Sequence, residues 1–187
     1  MNLYTGKGDD GTTKLFDSNK GQRHSKGDPL FEALGTSDEL NTVIGWAKVQ
    51  AQTQGATFLD RSIADMLHDI QDALFTAQAE LAGAPKHIPE DAVKKLETTI
   101  HFISKVLPPI TTFLVPGGTE LSVRLDIART LARRVERRVI TVHEGGERLI
   151  SEHTRRYLNR LSSFLYALVR FVNQEAGITE APPAYKN

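Results

Sequence analysis

The sequence predicts an all-α fold, a five-helix antiparallel bundle, on three observations. Apolar residues recur every three or four positions in five separate stretches. The connections between those stretches are short and carry glycine or proline, and no run approaches 18 consecutive apolar residues. A chain of 187 residues, 40% hydrophobic and 25% charged, suits a single domain with a sizeable core. Within it, residues 1–28 read as a glycine-rich segment, 29–177 as the bundle and 178–187 as a flexible tail.

The segment "YTGKGDDGTTKLF" at 4–16 is too rich in glycine for a helix. It is not a Walker loop, because Thr12 stands where that motif needs lysine and no helix follows at once. Backbone N–H groups beside glycines can still wrap a polyphosphate, with Thr, Lys and Asp side chains serving phosphate or its Mg²⁺. A plain mobile terminus is the other reading.

Asp28 followed by Pro29 marks an N-cap and first helical position. The first helix then runs to about Gln54, with Leu30, Leu34, Leu40, Ile44 and Val49 as apolar markers. Thr36 and Glu39 also fit a capping box, which would start it later. A second helix spans about Leu59 to Leu81, through Ile63, Leu67, Ile70 and Leu74. Pro89 begins a third, which ends before "LPP" at 107–109. The loop "PPITTFLVPGG" leads to a fourth helix, about Thr119 to Val142, and "HEGGERLIS" separates it from a fifth, about Glu152 to Ala176. The fourth and fifth carry regular seams, Leu121, Leu125, Ala128, Ala132, Val135 and Val139, then Leu158, Leu161, Leu165, Leu168 and Val172. Both are read as core.

The 23 basic and 23 acidic residues cancel, so the whole-molecule field calls for no polyanion. Charge is nevertheless clustered. From Arg124 to Arg138 there are six arginines and two acids. Arg129, Arg133, Glu136 and Arg137 fall within an arc of about 100° beside the seam. Guanidinium forks suit phosphate oxygens and carboxylates. A solvated helix face with i,i+4 pairs is the bland alternative. Nucleic acid is excluded as the expected partner, because the cluster lacks interleaved aromatics and the net charge is zero.

On the fifth helix Asn159 lies near the seam, suited either to a ligand or to a bond between helices. Phe113, in "FLVPGG", is either a core plug or a functional aromatic. With no cysteine there are no disulfides, thiolate metal sites or thiol nucleophiles. No metal-ligand set is legible, since Asp65-Met66-Leu67-His68 has no counterpart for a di-iron site. "NLYTGKGDD" after Met1 has no apolar signal core, and nothing spans a membrane; a cytoplasmic location is expected.

"YTGKGDDGTTKLF", "SKGDPLFEALGTSDELNTVIGWA", "FLVPGGTELSVRLDIARTLARRVERRV" and "YLNRLSSFLYALVR" occur in that order. On these four blocks the chain resembles the PduO-type ATP:cob(I)alamin (corrinoid) adenosyltransferases, from Leu3 to about Val172. The resemblance implies a homotrimer with active sites between subunits. Its expected reaction moves the 5′-deoxyadenosyl group of ATP to cob(I)alamin and releases triphosphate. It implies that Thr5, Gly6, Lys7, Gly8, Thr13, Lys14 and Lys26 line the nucleotide, completed by Arg133, Arg134, Glu136, Arg137 and Asn159. Phe113 would displace the lower ligand of cob(II)alamin, and Asp38 would pair with Arg129 of the adjacent subunit. Mg²⁺, a flavin reductase and an adenosylcobalamin-dependent enzyme complete the implied partners. The chain departs from the family at Gly6 and Lys7, where a basic residue and threonine are usual, and at Gly27, where aspartate is common.

Overall fold

The computed structural model describes residues 4–185. Residues 1–3 and 186–187, at the outer ends of the expected segment and tail, lie outside the described residues. Five helices dominate: α1 (Pro29–Gln54), α2 (Ile63–Leu81), α3 (Glu90–Val106), α4 (Glu120–Glu144) and α5 (Glu152–Glu175). Two antiparallel hairpins accompany them. One pairs β1 (Thr12–Thr13) with β2 (His24–Ser25), the other β3 (Thr57–Phe58) with β4 (Arg61–Ser62).

The helix starts follow local chemistry. Asp28 and Pro29 open α1 as expected. Thr36 starts nothing, because its hydroxyl donates to Glu32 O inside the helix at 2.7 Å. Thr119 caps α4 by accepting from Ser122 N at 3.1 Å, and Ser151 caps α5 by accepting from Thr154 N at 3.3 Å.

The second helix begins later than its apolar period suggests. Ser62 caps it, accepting from Ala64 N at 3.1 Å, and Leu59 occupies the β3–β4 turn at φ 52°. Phe58 explains the detour. The hairpin turns its ring into the core, edge-on to Phe171 with centroids 4.9 Å apart. Pro89 likewise is the N-cap of α3 rather than its first residue.

Helix α4 packs against both α1 and α5; α2 lies on α1 and α3 on α5. Both seams expected on α4 and α5 are buried along their whole length. Val49, expected as a core marker of α1, points outward instead. The end of α1 and the starts of α2 and α4 meet the end of α5 around one cavity, through Gln54, Ile63, Thr119 and Glu175. Consecutive helices therefore alternate in direction. One consequence is that α3 and α5 run side by side in the same sense: Ile88 bonds Thr154, Glu97 meets Arg160 and Pro108 meets Arg170.

At the other end, buried Glu80 closes the bundle. Its carboxylate accepts from Ser151 N at 2.6 Å and from Thr154 Oγ1 at 2.5 Å, and Thr154 Oγ1 in turn accepts from Ile88 N at 3.1 Å. Among the described residues no helix is long and apolar enough to cross a membrane.

Replacing Glu80 with Ala leaves those donors buried without an acceptor. The expected loss is about 1–3 kcal/mol in urea unfolding, with a smaller loss for Glu80→Gln.

Candidate functional site

The N-terminal ribbon folds as a hairpin, with Thr12–Thr13 paired to His24–Ser25. Gly6 and Gly11 sit at φ 66° and 77°, which permits the tight turns Asp9 N to Gly6 O and Gly11 N to Gly8 O, both 3.2 Å. A side chain at position 6 would strain that turn, which accounts for glycine where the family resemblance suggests a basic residue. Thr5 Oγ1 accepts from Lys7 N at 3.4 Å. Asp10 Oδ1 accepts from Thr12 N and Oγ1 at 2.9 and 2.7 Å, and these bonds hold its carboxyl below the usual range.

Arg23 organises the ribbon, and no sequence pattern singled it out. Its guanidinium donates to Thr12 Oγ1, to Lys7 O and, at 2.8 Å, to Thr12 O. Lys26 Nζ donates to Gly8 O at 2.8 Å. Two cationic side chains thus close the glycine loop from the β2 side, while Lys7 and Lys14 stay exposed beside Thr13.

The ribbon is fastened to the end of the bundle where α2 ends and α5 begins. Phe16 N donates to Ala82 O at 2.9 Å. Arg148, between α4 and α5, grips Asp17 with both terminal nitrogens at 2.6 and 3.1 Å and also donates to Leu81 O at 3.2 Å. The guanidinium holds the Asp17 carboxyl below the usual range. A depressed carboxyl favours the fold above its unfolded pKa of ~3.9, and that contribution is lost as pH falls through the folded value.

The arginines of α4 divide into two rows. Arg134 and Arg138 face α1, 3.8 Å from Glu39 and 3.4 Å from Glu32. Arg133 and Arg137 lie on the other side. Arg137 Nη1 donates to Arg133 O at 3.0 Å, and among the described residues neither makes an ion pair. Between them Glu136 accepts from Asn159 Nδ2 at 2.6 Å. Asn159 accepts from Arg160, which donates to Glu97 at 3.0 Å. Asn159 therefore makes the helix-to-helix bond that was one of its two readings, and it makes it to a member of the arginine cluster.

The expected residues form three groups rather than one. The ribbon residues Thr5, Gly6, Lys7, Gly8, Thr13, Lys14 and Lys26 share one end with the C-terminal half of α4, though none is bonded to Arg133 or Arg137. Phe113 lies at the opposite end, in the loop before α4, 81% exposed. At 1.5 Å per residue, Thr119 and Arg133 are about 21 Å apart along the α4 axis. Asp38 is exposed on α1. Arg129 is already engaged within its own chain: Nε donates to Asp126 Oδ1 at 2.6 Å, and the guanidinium lies 5.7 Å from the Tyr166 ring centre. Asp126, one helical turn before Arg129, is the partner that spacing alone could have named.

Two guanidinium groups without an ion-pair partner among the described residues, on the half of α4 that leads to the end carrying the lysine-bearing glycine hairpin, mark a helical-bundle protein with a cationic surface there. Residues 3–172 match the family described as cobalamin adenosyltransferase. The chain is 38% identical over 182 residues to a corrinoid adenosyltransferase of Bacillus subtilis (strain 168), covering 95% of this chain and 90% of that one. Against the corrinoid adenosyltransferase of Bos taurus it is 36% identical over 183 residues, covering 95% and 74%. A structure of a PduO-type ATP:corrinoid adenosyltransferase variant from Lactobacillus reuteri, complexed with cobalamin and ATP, matches with TM-score 0.85. That match is at 29% identity and covers 100% of both chains. The chain belongs to the cobalamin adenosyltransferase family.

Replacing Asp17 with Asn should speed tryptic cleavage after Lys14 and Lys20 at neutral pH and leave helical circular dichroism unchanged. Equal cleavage rates would mean that the Phe16 backbone bond alone fastens the ribbon.

Proposed function

We propose that this protein transfers the 5′-deoxyadenosyl group of ATP to cob(I)alamin, forming adenosylcobalamin and releasing triphosphate. The observation that carries this reading is the pair Arg133 and Arg137, without an ion-pair partner among the described residues, on the half of α4 that leads to the hairpin's end of the bundle, in a chain whose structural relative holds ATP and cobalamin. In the reaction the electron pair of Co(I) forms the Co–C5′ bond, the C5′–O5′ bond breaks, and the triphosphate leaves with that bond's electrons. The corrinoid supplies the nucleophile, so the protein needs no activated side chain.

Its tasks are alignment and charge neutralisation. Thr5, Gly6, Gly8 and Thr13 present backbone and hydroxyl donors to the triphosphate. Lys7, Lys14 and Lys26 supply cations there, with Lys26 exchanging Gly8 O for phosphate. Arg133 and Arg137, with Arg134 from the α1-facing row, receive the charge that grows on the leaving group, while the Asn159 bond to Glu136 ties the side of α4 that bears Arg133 and Arg137 to α5. Mg²⁺ enters with ATP as part of the substrate. No cluster of three metal-ligating side chains occurs among the described residues, and Mg²⁺ needs only phosphates, waters and one or two carboxylates. Asp9 and Asp10 are the ribbon carboxylates that fit this need.

Phe113 serves the corrinoid face, displacing the lower ligand of cob(II)alamin and so easing its reduction by a flavin reductase. Because Phe113 and the ribbon occupy opposite ends of one chain, a homotrimer that places one subunit's loop near a neighbour's nucleotide would complete the site. Asp38 then takes Arg129 of the adjacent subunit as partner, with Asp126 sharing that guanidinium. The product would pass to an adenosylcobalamin-dependent enzyme, in the cytoplasm.

Protein mixed with MgATP and chemically reduced cobalamin should yield a light-sensitive Co–C product and triphosphate; orthophosphate or ADP without that product would overturn the reading. Arg133→Ala should lower kcat/KM by about 10²–10³-fold. Phe113→Ala should lose more activity when turnover starts from cob(II)alamin and a reductase than from preformed cob(I)alamin. Equal losses would remove Phe113 from ligand displacement.

A further inference from the structure

The segment after α5 does not simply leave the bundle. Ile178 N donates to Asn173 O and Val115 N to Ala181 O, both at 2.9 Å, so residues 178–181 run against the loop that carries Phe113. Glu180 is the knot. Its Oε2 accepts from Arg170 Nε at 3.0 Å and its Oε1 from Asn173 Nδ2 at 3.2 Å. Each donor also holds one flank of the loop. Arg170 Nη1 donates to Pro108 O at 3.1 Å, before Phe113, and Asn173 Nδ2 donates to Gly117 O at 3.0 Å, after it. Asn173 Oδ1 accepts from Thr119 N at 3.4 Å, which ties the loop to the start of α4.

The knot is shielded and tight. The Arg170 and Glu180 side chains are only 12% and 16% exposed, so either charge without the other would be left poorly solvated. Gly118 sits at φ 121°, and a Cβ there would lie 2.1 Å from Asn173 Oδ1. The close approach of Asn173 therefore requires glycine.

The loop needs such a restraint. Ile110, Phe113 and Val115 are all exposed on it, against the tendency of apolar groups to leave water. Next to it, a cavity of about 300 Å³ is lined by Ile100, Ile103, Leu107, Tyr166 and Ala167. A loose loop could fold its phenylalanine into that cavity. A loop held at Pro108 and Gly117 presents it outward.

We propose that Glu180, acting through Arg170 and Asn173, is the positioning residue that keeps the Phe113 loop presented to the corrinoid. The role of Phe113 itself rests on the function proposed above. Glu180 touches no substrate. It converts the first residues of the tail into a strap across the base of the loop.

The test compares wild type, Glu180→Ala, Glu180→Gln and Phe113→Ala as full-length chains. The first readout needs no activity: limited chymotrypsin cleavage after Phe113, followed by fragment mass. Glu180→Ala should be cut about tenfold faster than wild type, and Glu180→Gln, which keeps an acceptor oxygen, should fall between. The second readout is turnover. From cob(II)alamin and a reductase, Glu180→Ala should lose about as much as Phe113→Ala, with ATP KM unchanged. Wild-type cleavage in both Glu180 variants would overturn the strap. If Glu180→Ala fails to fold, faster cleavage in Glu180→Gln supports the strap, and wild-type cleavage there overturns it. If cleavage rises but cob(II)alamin turnover stays normal while Phe113→Ala is impaired, the positioning role falls. Full activity in Phe113→Ala would instead defeat the reading of Phe113, leaving the strap supported by cleavage but without the proposed role.

Discussion

The structure depends on α4 being packed from two sides. Leu121, Leu125, Ala128, Ala132, Val135 and Val139 are buried between α1 and α5, and this sets the rotation of the helix about its axis. Burying a full leucine side chain is worth roughly 1.5–3 kcal/mol, and turning the helix would expose several at once. Once the seam is set, the arginines have no choice of direction. Arg134 and Arg138 must emerge toward Glu39 and Glu32 of α1, and Arg133 and Arg137 on the other side. The small residues Ala128 and Ala132 leave room for neighbouring helices to approach, which brings Glu136 within reach of Asn159. Core packing and the arginine-bearing surface are therefore two faces of one decision.

The two irregular segments are attached to opposite ends of the bundle by the same device. In each, an arginine of the bundle, Arg148 in the α4–α5 connection or Arg170 on α5, takes a carboxylate from the segment. Arg148 holds Asp17 of the ribbon, and Arg170 holds Glu180 of the tail. In each, the same arginine also donates to a backbone carbonyl, Leu81 O or Pro108 O. The Arg148–Asp17 pair is partly exposed, and such pairs contribute little to global stability, commonly below about 1 kcal/mol, whereas Arg170 and Glu180 are shielded. Here their value is positional. Each pair selects one placement for a segment that has almost no core of its own.

Much of this was legible from residue order. Periodicity located all five helices, and the capping residues Asp28, Thr119 and Ser151 sit where helix chemistry puts them. The exceptions have local causes. The continued apolar period across 59–63 hid the β3–β4 hairpin, whose strands are two residues long. Val49 keeps the helical spacing yet faces outward, because spacing gives a face without saying how wide a neighbour covers it. Arg23 and Arg148 left no trace in the sequence, because their partners Thr12 and Asp17 lie far from them in the chain.

The sequence by itself determined the number of helices, their buried seams, the excess of arginine on one of them and the family to which the chain belongs. Local spacing and side-chain chemistry are enough for those. Only the tertiary structure decided that the ribbon and Phe113 stand at opposite ends, that Asn159 bonds Glu136, and that residues 178–181 run against the Phe113 loop. Those outcomes depend on which helices become neighbours and in which direction each runs, and burial of the whole core settles both together.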